Sequence, residues 1–173
     1  MSNKTALVTG ASDGIGAEFL EILAGRSYDL ILVARREEKL NQLAERVSRE
    51  FGVDCTVMVS DLSEPNAAQN LFQRIEERGL QVNFLINNAG LLHNGFFTKL
   101  SLEAQEKMIH VNVLALTALT HLYAAKMSSN GGGHILNVAS LAGWMAIPNQ
   151  NVYAASKAYV VSFSQALSNE MIA

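Results

Sequence analysis

Cysteine is almost absent from this chain: Cys55 is the only one in 173 residues. The chain therefore cannot close an internal disulfide and has no second thiol for a structural metal site, which suits a reduced, cytoplasmic protein. Charge is sparse as well, at 17% of residues against about 25% in an average globular chain. The 13 basic and 16 acidic side chains leave a net charge of −3. Neither sign forms a long block, so the chain lacks the basic footprint of a nucleic-acid binder. Long hydrophobic runs are missing too. Met1 to Lys4 leads only into Ala6-Leu7-Val8, far short of the apolar core of an export signal. The uncharged stretch from Met108 to Ala125 is interrupted by His110, Asn112, Thr117, Thr120 and His121, whereas a membrane span needs about 20 predominantly apolar residues. It reads as a buried helix, and no membrane partner is expected. With no repeat and no dividing linker, residues 1–173 are expected to form one domain, and 49% hydrophobic residues exclude disorder.

What is present is an alternation of short β-branched runs with longer segments of helical period, the pattern of βαβ units around a parallel sheet. Strands are expected at Ala6 to Val8, Leu30 to Ala34, Cys55 to Val59, Phe84 to Ile86 and Ile135 to Val138. Each is apolar at successive positions, as strands covered by helices on both faces must be. Helices are expected at about Ile15 to Arg26, Glu37 to Phe51, Pro65 to Glu77, Leu102 to Met127 and Tyr153 to Ile172. Gly25, Gly52 and Gly79 follow the first three helices as left-handed caps would, and Ser63-Glu64-Pro65 puts a hydroxyl cap ahead of a first-turn proline.

Between the first strand and the first helix lies Thr9-Gly10-Ala11-Ser12-Asp13-Gly14-Ile15-Gly16. A residue without Cβ can turn sharply at Gly10 and approach a pyrophosphate at Gly14, while Gly16 lets the helix lie close to the sheet. The exposed N–H groups and the helix dipole then favour the anion. In such folds the residue that reads the adenosine ribose lies about 20 positions further on. Counting from Gly16 reaches Arg35 and Arg36. A carboxylate there would accept from a ribose 2′-hydroxyl, whereas a guanidinium pairs with a 2′-phosphate. NADP(H) is therefore favoured, while Glu37 and Glu38 beside the arginines leave NAD(H) open.

Tyr153 and Lys157 stand four apart in the last helix and share a face. A phenol has a reference pKa near 10. An ammonium about 4 Å away favours the phenolate by about 4 kcal/mol at an effective dielectric near 20, enough to make the tyrosine a usable proton donor. Ser140 closes the fifth strand, at the edge where open α/β sheets bind ligands, and its hydroxyl suits a carbonyl oxygen. Together these residues resemble the short-chain dehydrogenase/reductase family. The glycine turn matches that family's motif, as do Asp61 with Leu62 on the adenine side, the strand-four motif Asn87-Asn88-Ala89-Gly90, and the tetrad Asn112, Ser140, Tyr153 and Lys157. The resemblance implies a Rossmann-type, doubly wound parallel sheet with helices on both faces. It also implies a cofactor site formed by Gly10, Ser12, Asp13, Gly14, Ile15, Gly16, Arg35, Arg36, Asp61, Leu62, Asn88, Ala89, Gly90, Tyr153 and Lys157. By resemblance, Tyr153 is the general acid/base, Lys157 lowers its pKa and holds the nicotinamide ribose, and Ser140 orients the substrate oxygen. Asn112 supports a water-mediated proton path. Hydride then passes between the nicotinamide and a carbonyl carbon without a metal.

Family members normally continue past the tyrosine helix, through a sixth and a seventh strand that this sequence lacks, so the domain is expected to be C-terminally incomplete with the fifth strand as an open edge. That leaves two readings: an NADP(H)-dependent oxidoreductase, or a catalytically impaired nucleotide-binding or interaction module. The segments Leu91 to Phe97 and Leu141 to Val152 contain no Asp, Glu, Lys or Arg, which suits a small apolar or neutral carbonyl or alcohol substrate. The helix from Val111 to Met127 carries only Lys126 as a formal charge. Its apolar surface suggests pairing with a second copy, as a homodimer or homotetramer.

Overall fold

The computed structural model describes residues 4–171. Five parallel strands, β1 (Lys4–Thr9), β2 (Tyr28–Ala34), β3 (Cys55–Val59), β4 (Val82–Asn87) and β5 (His134–Asn137), lie in the order β3-β2-β1-β4-β5. The chain winds outward from β1 to β3, then returns to the other side of β1 with β4. The switch between β1 and β4 opens a crevice at their C-terminal ends, where open α/β sheets bind ligands.

Side chains alternate across the strands, and so build two cores. Leu7, Ile31, Val33 and Leu85 pack beneath α3 (Ala67–Glu77) and α5 (Leu116–Ser129). Ala6, Val8, Leu30, Leu32 and Ile86 face α1 (Gly14–Ala24) and α2 (Glu37–Phe51). The two-sided covering expected of every strand fails at β5. His134 and Leu136 are exposed there because α1 and α2 lie over the other end of the sheet.

Three local expectations are also corrected. Gly25 is right-handed at φ −62°, and the left-handed residue is Ser27 at φ 59°. The N–H groups of Gly25, Arg26 and Ser27 bond back to the carbonyls of Glu21, Leu23 and Ala24, so the reversal is deferred. Gly52 and Gly79 are left-handed as expected, at φ 69° and 68°. Helix α3 begins after Pro65, at Ala67, because Asp61 captures both the N–H and the hydroxyl of Ser63 in a turn of its own. Finally, the single helix expected from Leu102 is α4 (Leu102–Ile109), a π-helical turn at His110–Ala115, then α5.

The stretch Leu102–Ser129 is long and apolar enough to cross a membrane, but half of its most apolar window is buried. Thr120 within it accepts from Asn87 of β4, which ties the helix to the sheet. The last helix, α6 (Asn151–Met171), packs on α4, on the π-helical turn and on a 3-10 turn at Leu141–Trp144.

Candidate active site

The glycine turn is held from both sides. Gly10 and Gly14 are left-handed, at φ 66° and 52°. A Cβ on Gly16 would stand 2.1 Å from the Gly10 carbonyl oxygen and 2.6 Å from Asn88 Nδ2. Gly16 is thus needed for closure of the turn upon itself and upon Asn88, more than for contact with the sheet. Asn88 Nδ2 donates to the carbonyls of Thr9 (3.0 Å) and Gly10 (3.2 Å), and Thr9 Oγ1 accepts from the N–H groups of Asn88 and Ala89. The sequence placed Thr9 at the head of the glycine motif but gave its hydroxyl no role; the structure makes it the acceptor that ties the turn to the end of β4.

This turn floors a cleft of about 360 Å³ at the switch between β1 and β4. Gly10, Ser12, Asp13 and Ile15 line it from the turn, and Arg35 and Arg36 from the end of β2. Asp61 and Leu62 follow β3, and Asn88, Ala89 and Gly90 follow β4. Gly14 lies in the same turn, and Gly16 is buried behind it. Burial opposes ionisation of Asp61, but the Ser63 N–H and hydroxyl and the Arg35 guanidinium hold its carboxyl below the usual range.

Beyond Gly90 the tetrad begins. A Cβ on Gly90 would lie 3.6 Å from Asn112 Oδ1 and 3.6 Å from Lys157 Nζ, so the two side chains converge there. Asn112 is fully buried in the π-helical turn. It donates to Leu91 O (2.9 Å) and Ser156 Oγ (3.0 Å) and accepts from Leu91 N (2.8 Å). Ser156 in turn donates to the Tyr153 carbonyl at 2.7 Å. It was missed because a serine inside a helix reads as ordinary. Lys157 is 4% exposed and donates to Val138 O at 2.7 Å, with its ammonium 6.0 Å from the centre of the Tyr153 ring. Burial pushes its pKa down. Ser140, two residues past Val138, caps the 3-10 turn by accepting from Ala142 N at 3.2 Å.

A family model for short chain dehydrogenases matches residues 4–173. The chain belongs to the short-chain dehydrogenase family. Over 171 residues it is 32% identical to an uncharacterized oxidoreductase of Staphylococcus saprophyticus, covering 99% of this chain and 73% of that protein. It is 35% identical to a very-long-chain 3-oxoacyl-CoA reductase of Anas platyrhynchos, covering 95% of this chain and 54% of the reductase. A solved short-chain dehydrogenase from Sphingobium yanoikuyae in complex with NADPH superposes with a TM-score of 0.91 at 38% identity, covering 97% of this chain and 66% of that one. The chain thus spans between half and three quarters of the lengths of these relatives, and it shares with them the oxidoreductase family and the Rossmann-type sheet.

Among the described residues no group of three or more His, Cys, Asp or Glu is disposed to hold a metal ion. The lone thiol of Cys55 is pushed up to about 11 by burial and by the charges of Asp29 and Asp54, which leaves it inert at neutral pH.

Proposed function

We propose that this chain carries the cofactor cleft and proton-transferring groups of an NADP(H)-dependent oxidoreductase that interconverts a carbonyl compound and its alcohol. The observation that carries this reading is the buried ammonium of Lys157 beside the Tyr153 ring, converging with Asn112 on Gly90 at the end of the cleft. Burying an ammonium costs free energy, and an apolar side chain would serve a merely structural role better.

The residues present fit a dinucleotide. Gly10 and Gly16 let the turn close tightly on Asn88 and Ala89 at the floor of the cleft, and Arg35 and Arg36 bring cations to its adenosine end. The turn from Gly10 to Gly16 would hold the pyrophosphate, Asp61 and Leu62 the adenine, and Asn88 to Gly90 with Lys157 the nicotinamide ribose. When bound, the nicotinamide supplies or accepts the hydride. Tyr153 gives its proton to the carbonyl oxygen in reduction and takes it back in oxidation. The Lys157 ammonium stands beside the Tyr153 ring, and the Ser140 hydroxyl would hold the substrate oxygen. Asn112 clamps Leu91 so that the wall of the site stays in register with α6, and the second lone pair of its Oδ1 is the acceptor left for a water-mediated proton path.

Phe96, Phe97, Trp144 and Met145 are exposed on uncharged loops flanking the tetrad. This supports an apolar or neutral carbonyl substrate. Tyr153→Phe keeps the ring and removes the proton. It should lower kcat by at least about 10²-fold, with NADPH affinity little changed in fluorescence titration. Near-normal turnover by that variant would overturn the assignment.

A further inference from the structure

At the adenosine end of the cleft no cation faces solvent alone. Arg36 Nη2 donates to the Ser12 hydroxyl (3.0 Å) and to Asp13 Oδ2 (3.3 Å), and Lys39 Nζ donates to the same Oδ2 (3.4 Å). The other carboxylate oxygen of Asp13 accepts from Gly14 N at 2.9 Å, where it caps α1. Arg35 turns the opposite way, 3.8 Å from Asp61 Oδ2. Each guanidinium thus already has a resident carboxylate, and Asp13 engages two cations at once. Spacing along the chain gave no hint of this, because Lys39 lies 26 positions from Asp13.

We propose that Asp13 is a specificity-determining residue: a built-in counter-anion that competes with the cofactor's 2′-phosphate for Arg36 and Lys39, and so narrows the preference for NADP(H) over NAD(H). The inference rests on the reading of the cleft as a dinucleotide site. Its basis is a charge count. Three cations (Arg35, Arg36, Lys39) minus two carboxylates (Asp13, Asp61) leave +1 in the paired cluster, and Glu37 and Glu38 in the first turn of α2 add further negative charge. A phosphate monoester brings about −1.5 to −2. With Asp13 ionised the filled site is net negative; without that charge the paired cluster, at +2, would match the phosphate.

The Gly14 N–H, Lys39 and Arg36 hold the Asp13 carboxyl below the ordinary range, so the cleft presents it as a carboxylate at neutral pH. The charge is separable from the cap. Capping needs only an oxygen acceptor, which Asn and Ser both supply, so Asp13→Asn and Asp13→Ser remove the anion and keep the start of α1. Arg35, Arg36, Lys39 and Asp13 are about half exposed or more and Asp61 somewhat less, so solvent screening keeps the effect moderate.

The test uses two fragments that need no turnover, 2′,5′-ADP and 5′-AMP, titrated calorimetrically against the 173-residue protein. The parent should bind 2′,5′-ADP more tightly than 5′-AMP. Both Asp13 variants should tighten 2′,5′-ADP by about three- to tenfold while 5′-AMP moves by less than about twofold. Lys39→Gln should weaken 2′,5′-ADP selectively. If the parent discriminates but neither Asp13 variant changes the ratio, the counter-anion is overturned while the cofactor reading stands. Equal loss of both fragments in the Asn and Ser variants would show that the carboxylate supports the turn itself rather than opposing the phosphate, and overturns it too. Failure of the parent to bind either fragment would overturn the cofactor reading and this inference with it. Circular dichroism checks folding, and either Asp13 variant alone suffices for the comparison.

Discussion

Asp61 divides its carboxylate between two tasks: Oδ1 accepts from the Ser63 N–H (3.0 Å) and hydroxyl (2.8 Å), while Oδ2 lies 3.8 Å from Arg35. These partners outweigh burial and hold its pKa below that of the unfolded chain. The unfolded state then binds more protons in acid, so Asp61 contributes stability above about pH 4 that is lost as pH falls through its lowered value. Asp61→Asn should therefore lower the urea midpoint at pH 7 and leave it unchanged near pH 2. An equal loss at both values would show that shape rather than charge is at stake. At this scale the sequence was informative wherever function follows local spacing. Tyr153 and Lys157 sit four apart on one helix, and Arg35 and Arg36 close a strand beside the turn. It was silent on partners brought from afar, as when Ser156 bonds Asn112 or Asp13 bonds Lys39.

At the level of elements, the start of α1 depends on a contact that leaves no room for a methyl group. A Cβ on Gly16 would meet the Gly10 carbonyl oxygen at 2.1 Å and its carbon at 2.8 Å, both rigid backbone atoms. Gly16→Ala should force the turn apart, with a loss of about 1–3 kcal/mol of stability and at least about tenfold weaker nucleotide binding, read by thermal melts and titration. Unchanged affinity would mean that the turn is not the pyrophosphate seat. The long helix after β4 taught a different lesson. Its hydrophobic period was visible, but the π-helical turn at His110–Ala115 was not, because the demand for it comes from Leu91 and Ser156, which Asn112 must reach together. Such wide turns often occur at functional sites.

For the whole molecule, the outward side of the π-helical turn and α5 presents Leu114, with Ala118 and Leu122 partly buried, and α6 presents Tyr159. The Thr117 and Tyr159 hydroxyls bond at 2.9 Å and join the two elements into one continuous surface. Sedimentation at micromolar concentration should give a dimer or tetramer, and Leu114→Glu should return it to monomer mass by placing an unpaired charge in the contact. A monomeric parent would count against this surface as an interface, and association that survives Leu114→Glu would point to the exposed side of β5. The sequence by itself determined the parallel α/β architecture, the glycine turn and the tyrosine–lysine pair, because strand and helix periods and short-range spacing are local properties of a chain. Only the tertiary structure decided that β5 has an exposed face, that Asn112 clamps Leu91, and that Asp13 sits between Arg36 and Lys39. Those outcomes depend on which strands become neighbours and on which helices are left to cover them, and no stretch of sequence carries that information alone.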